Sequence, residues 1–241
     1  MVHPSQMPVV ITSDTSEGID TMASLSYYSR LRFTYNLLPL LSHSPNGRVV
    51  SILAGGKERG LDINDLELRK KYSVTLVAQN CATQTVLSFE VLAQKYSSVT
   101  FCHVYPGFVN TGQLDKLIVS LKGVWRYVGE IARWTLIPLL NYFAATTIDV
   151  AGERGLFIAT SGKYPPADSG IDMLVLPEGV ETAKSSVTME GRGNGVYRLH
   201  EDCESISNDC DLVLEGYRNE GTRDKVWKET EGIWKKALLA K

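Results

Sequence analysis

Apolar positions recur at intervals of three and four across residues 22–41, through Met22, Leu25, Leu31, Phe33, Leu37, Leu40 and Leu41, which predicts one helix. Residues 13–18 read as its turn-like, acidic start, and Ser44-Pro45-Asn46-Gly47 stops it. Residues 48–54 (RVVSILA) are β-branched and bounded by glycines, so they predict a buried strand. Residues 99–105 (VTFCHVY), closed by Pro106-Gly107, predict a second, and 156–160 (LFIAT) a third. Between these runs, 72–96 and 125–142 read as helices, and 55–71 as a charged loop with a short helix around Leu66. A short apolar run at 8–12 reads as a strand remnant. Strand, helix, strand, helix, strand is the α/β pattern with parallel pairing.

After Tyr164-Pro165-Pro166 the texture becomes loop-rich. The reading is therefore an α/β region at 1–166 and an extension at 167–241 packed on it, one structural domain overall. Residues 191–195 (GRGNG) predict a hairpin turn between Val187-Thr188-Met189 and Val196-Tyr197-Arg198-Leu199. Residues 200–220 hold seven acids and one base, and 222–241 hold six bases and three acids. Val226, Trp227, Ile233, Trp234 and Leu238 mark a final amphipathic helix whose positive face could meet the acidic loop.

Composition narrows the classes. The 241 residues are 44% hydrophobic and 22% charged, enough for one sizeable core. A formal charge of −2 leaves no basic excess for a phosphate backbone, so no nucleic-acid partner is expected. The most apolar stretch, 134–150, is broken by Pro138, Asn141 and Asp149, so no membrane span is expected. The N-terminus has no basic n-region or apolar h-region, and a cytoplasmic location follows. Cys81 and Cys102 read as small core residues. Cys203 and Cys210 flank the acidic loop with only His200 nearby, too few ligands for a metal.

The order of strand, Tyr-led helix and strand ending in Pro-Gly resembles the C-terminal half of a short-chain dehydrogenase/reductase. The most specific stretch is Val104-Tyr105-Pro106-Gly107-Phe108-Val109-Asn110-Thr111. Tyr72-Ser73 resembles the start of the family's Tyr-X-X-X-Lys motif. Residues 15–33 resemble the helix before the catalytic strand, and Gly152-Glu153-Arg154-Gly155-Leu156-Phe157 fits the same fungal, secondary-metabolic subgroup. The resemblance implies a partial Rossmann-like parallel sheet with flanking helices, the first nucleotide-binding half largely absent. It implies a nominal NAD(P)-dependent oxidoreductase acting on a small apolar metabolite.

Hydride transfer in that family needs a Gly-rich turn for the dinucleotide, and a tyrosine whose pKa a lysine lowers, beside a serine. No Gly-rich strand–turn–helix precedes Ser13. Four positions after Tyr72, the candidate acid/base, stands Leu76 rather than lysine, so Tyr72 is expected to stay a neutral phenol. Ala54 falls on the serine position, leaving Ser51 as the nearest hydroxyl on the strand, and Ser26 falls where the family has an asparagine. By the same resemblance Pro106, Gly107 and Thr111 are the cofactor-side residues. Blander readings stand beside these. Tyr72 as a helix-start anchor, Thr111 as a helix cap and His103 as a satisfied or half-buried strand residue need no ligand. His43 reads as a loop residue near a helix C-terminus. Trp125, Trp134 and Tyr142 read as core or interface before they read as a substrate pocket.

Two functions follow. One is an oxidoreductase-family protein with a degenerate redox site, its residual chemistry a cofactor-independent isomerisation or cyclisation with Tyr72 as donor. The other is a non-catalytic binding or subunit protein, in which an exposed sheet edge pairs with another copy or a partner chain.

Overall fold

The computed structural model describes residues 20–70, 72–111, 118, 122–143, 145–168, 176, 178–189, 192–207 and 209–239. The run at 8–12, the turn at 13–18 and residues 190 and 191 of the glycine-rich turn lie outside these. The predicted helix at 22–41 is continuous but built in three pieces: α1 (Thr21–Ala23), a π-helical turn (Ser24–Tyr28) and α2 (Ser29–Leu41). The Asp20 carboxylate caps it by accepting the Ala23 N–H at 2.9 Å. Within the π turn, Ser24, Tyr27 and Tyr28 are buried, and the Ser29 hydroxyl donates back to the Ser24 carbonyl at 2.8 Å. At the far end Ser42 Oγ donates to the Pro39 carbonyl at 3.1 Å, and His43 Nδ1 meets the same oxygen at 2.6 Å, so His43 sits as expected beside a helix C-terminus.

Strand β1 (Arg48–Ile52) leads through the loop at 55–71 to α3 (Val74–Lys95), and α3 leads to β2 (Thr100–Val104). The loop carries turns but no helix at Leu66. Ser73 starts α3 by accepting the Leu76 N–H at 3.1 Å, which leaves Tyr72 just outside the helix. After α3 and β2 come α4 (Val124–Phe143), α5 (Ile148–Thr160), a two-residue ladder of β3 (Thr188–Met189) and β4 (Arg192–Gly193), then β5 (Val196–Leu199), α6 (Cys210–Asn219) and α7 (Thr222–Leu239).

The main sheet is parallel, in the order β1-β2-β5, with Ser51 opposite His103 and His103 opposite Arg198. The α/β class with flanking helices is as expected, but the third strand is not 156–160. That run is the end of α5, with Ile158 buried while Leu156 and Phe157 face outward. A short apolar run carries no period that separates helix from strand, and here the helix won. The third strand is Val196–Leu199, buried along its length and hydrogen-bonded on β2, with Phe101 N–H to Gly195 O at 2.8 Å and Tyr105 N–H to Leu199 O at 2.8 Å. The predicted hairpin changes accordingly: Thr188–Met189 pairs with Arg192–Gly193, freeing Val196–Leu199 for the sheet.

One core lies between the sheet and its helices. Tyr28, Leu31, Phe89, Leu92, Phe101 and Trp234 meet there. Tyr27 ties three helices together, its hydroxyl 2.7 Å from Ser88 Oγ and 2.8 Å from Thr230 Oγ1. Cys102, Val104, Tyr164, Tyr197 and Leu199 fill a second cluster. Cys81 and Cys102 are buried as expected, and burial pushes both thiols up to about 12. Arg198 and Lys163, not α7, supply the cations paired with Asp211 and Glu204 of the acidic stretch, and that stretch is partly helical as α6. The chain forms two compact units. Residues up to Tyr105 join Ile158 onward in one, and Pro106–Phe157 form the other. Among the described residues no helix is long and apolar enough to cross a membrane.

Candidate functional site

Tyr72 precedes α3 and is 59% exposed. The Asp20 side chain, acting first as a hydrogen-bond acceptor, then desolvation and the charge of the Asp20 carboxylate, raise the pKa of Tyr72 above the ordinary 10.0. The phenol therefore stays neutral at physiological pH. The position four residues on holds no cation, because Leu76 is half-buried against the main core. The influence of Asp20 on Tyr72 is opposite in sign to the one a neighbouring ammonium group would exert.

Ser51 is half-buried on β1 and lines a cavity of about 180 Å3 together with Ser26, Tyr27, Arg30, Thr85 and Phe89. Two of the sequence-chosen positions, Ser51 and Ser26, thus meet in one cavity, and Tyr72 is not among its lining residues. Arg30 borders this cavity and is held by the Leu25 and Ile52 carbonyls, each at 3.1 Å. Ala54 lies in the turn after β1, where the chain runs so close to β2 that a Cβ on Gly55 would strike the His103 carbonyl.

Pro106, Gly107 and Thr111 belong to the other unit. Gly107 takes a positive φ of 67°, which its missing side chain allows. Thr111 is exposed in a tight turn, its N–H donating to the Val109 carbonyl at 2.8 Å. The residues that follow it lie outside the described set.

A cluster of ionisable side chains that the sequence reading did not assemble sits under the C-terminal ends of β1, β2 and β5. Glu58, from the loop after β1, is wholly buried. Its Oε1 accepts the Gly56 N–H at 3.0 Å, and Arg198 reaches its Oε2 at 3.2 Å. Arg198 also pairs with Asp211 at the start of α6 and donates to the Ile206 carbonyl at 3.3 Å. His103 Nδ1 stands 3.7 Å from Glu58 Oε1, beyond hydrogen-bond reach but within reach of its charge. Burial disfavours the ionised carboxyl of Glu58, yet His103 and Arg198 outweigh it and hold the carboxyl below its ordinary value. His103 is therefore a core residue, as expected, but not a satisfied one: neither ring nitrogen has a hydrogen-bond partner among the described residues. The signal for this cluster was an ionisable side chain inside each of two apolar strand runs, FCHV and VYRL.

Among the described residues no group of three or more His, Cys, Asp or Glu side chains is placed to hold a metal. No family model matches the chain. No solved structure matches it either. It is similar to oxidoreductase andH of Emericella variicolor, 34% identical over 232 residues, 92% of this chain and 63% of that protein. It is also similar to oxidoreductase lepF of Aspergillus flavus, 30% identical over 262 residues, 98% of this chain and 68% of the relative. Short-chain dehydrogenase/reductase SAT2 of Stachybotrys chartarum is 28% identical over 227 residues, 90% of this chain and 58% of its own. The chain thus spans less than two thirds of andH. A parallel sheet with a helix between successive strands, and relatives of this kind along nearly the whole chain, agree: the protein belongs to the fungal oxidoreductases of the short-chain dehydrogenase/reductase type.

Proposed function

We propose that this chain is a metabolite-binding member of the oxidoreductase family whose described residues do not complete a nicotinamide hydride-transfer site. The observation that carries this reading is the environment of Tyr72, whose phenol the Asp20 carboxylate keeps protonated and which has the half-buried Leu76, not a cation, four positions on. A nicotinamide needs backbone N–H groups at a Gly-rich helix start and a tyrosine able to pass a proton. The described residues do not fit that demand, and no hydride step is derived through them. The ligand class is a small, mainly apolar metabolite of a fungal secondary pathway, handled in the cytoplasm. The walls of the cavity at Ser51, with Tyr27 and Phe89 beside the hydroxyls of Ser26 and Thr85, suit such a ligand.

A thermal-shift titration with NADPH and NADH tests this reading. A ligand that binds only the native state raises its melting temperature by mass action. No shift at saturating cofactor, and no NAD(P)H oxidation across a panel of apolar carbonyl compounds, is expected. A cofactor-dependent rise in melting temperature would overturn the reading.

A second reading rests on the edge position of β1, whose outer side has no strand among the described residues and whose Ile52 is exposed. Such an edge takes another strand, from a second copy or a partner chain. Light scattering on the eluting protein separates the two: a stable monomer at all concentrations removes the self-pairing form of the second reading.

A further inference from the structure

Trp125 and Trp134, expected in a core or a pocket, are 69% and 79% exposed on α4. They are not isolated. Val124, Tyr127, Val128 and Ile131 are exposed as well, and with Trp134 they recur at three and four, so they form one stripe along the helix with Trp125 on its shoulder. Arg126, Glu130 and Arg133 stand on the other side, and Lys122 lies just before the first turn. An apolar stripe of this kind marks an interaction surface rather than ordinary exposure.

The chemistry of the stripe selects its partner. Two tryptophans and a tyrosine combine a large apolar body with a polar edge, which suits the headgroup level of a bilayer. The charges on and beside the helix are three basic, Lys122, Arg126 and Arg133, against the single acid Glu130, in a chain whose net charge is −2. A local positive excess beside an apolar aromatic face is the composition of helices that lie in the membrane interface, and the cytoplasmic leaflet is the acidic one. Since α4 is not long and apolar enough to cross a bilayer, the remaining membrane geometry is in the plane of the interface. We propose that the exposed apolar stripe of α4 docks on a membrane surface carrying acidic lipids. Docking would place the protein where an apolar metabolite partitions, and it stands whether or not the chain binds a nicotinamide.

The test uses the full chain with vesicles of phosphatidylcholine alone or mixed with phosphatidylserine. Expected are co-sedimentation with the mixed vesicles, weakened by salt, and quenching of tryptophan emission by brominated acyl chains. Trp227 and Trp234, which pack against the main core, serve as the internal reference that stays unquenched. The triple variant Trp125→Ser, Ile131→Ser, Trp134→Ser changes only exposed side chains and is expected to lose about tenfold or more in vesicle affinity, with an unchanged circular-dichroism spectrum. No sedimentation of the wild-type chain with either vesicle, or sedimentation that the triple variant leaves intact, would overturn the proposal. So would a concentration-dependent dimer that the triple variant abolishes, since the stripe would then be a protein interface.

Discussion

Glu58 and Tyr72 both lie in reach of a charged neighbour, and their neighbours have opposite signs. Glu58 is buried between Arg198 and His103, which hold its proton off. Tyr72 is exposed and faces Asp20, which holds its proton on. The residue chosen by motif therefore carries little of the structure and is electrostatically silenced. The residues no motif pointed to join the loop after β1 to β2, β5 and α6. A residue can match a motif in type and spacing, but its surroundings decide what it does.

The comparison is sharpened most by breaking the buried side. Arg198→Met leaves Glu58 ionised in the core without its closest cation, and the loss of an interior ion-pair partner costs about 3–5 kcal/mol. Urea unfolding measures it; a loss like that of a surface substitution would mean that the cluster does not hold the strands together. Glu58→Gln is expected to cost less, about 2 kcal/mol near neutral pH, because Arg198 keeps Asp211. Its pH dependence is more telling. The folded carboxyl of Glu58 titrates below its ordinary value of 4.5, so its contribution is complete above that pH and is lost as pH falls through the lowered folded pKa. Melting temperature against pH should thus fall less steeply below 4.5 in the variant than in the wild type. Equal slopes would remove Glu58 from the acid limb. Tyr27→Phe follows at about 1–2 kcal/mol, since it deletes a hydroxyl shared by Ser88 and Thr230 in the core. A melting curve indistinguishable from wild type would show that the three helices are held by packing alone.

Much of the fold was legible because its signals were local. The glycine-bounded run at 48–54 and the run at 99–105 closed by Pro106-Gly107 became β1 and β2, and three-four spacing found the helix through Met22 and Leu41. The third strand was not, because both contenders, LFIAT and VYRL, are shorter than the window in which period separates helix from strand. Only pairing with β2 decides between them, and that is a contact across nearly a hundred residues. The same distance hid the ionisable cluster, since Glu58, His103 and Arg198 become neighbours only once β5 is in register. That Leu76 stands where the resemblance expects a lysine was readable from spacing alone. The carboxylate that acts on Tyr72 comes from Asp20, on an element that no motif connects to it.

The exposed side of the comparison gives the smallest effect and the cleanest one. Asp20→Asn keeps an N-cap for α1, because asparagine accepts the Ala23 N–H as well as aspartate does, so the melting temperature is expected to stay where it is. The variant removes the negative charge near Tyr72 and leaves a neutral amide oxygen, a weaker acceptor for the phenol. If the carboxylate is what holds the phenol protonated, the Tyr72 pKa falls back toward 10.0, read as the titration of the tyrosine Cζ carbon resonance in labelled protein and assigned with Tyr72→Phe. The burial-raised tyrosines, Tyr27 and Tyr197 among them, titrate higher because desolvation governs them, and they do not move with the substitution. A Tyr72 resonance that titrates identically in both proteins would mean that its neutrality owes nothing to Asp20. The reading of this chain as a relative that does not transfer hydride would then lose its main support.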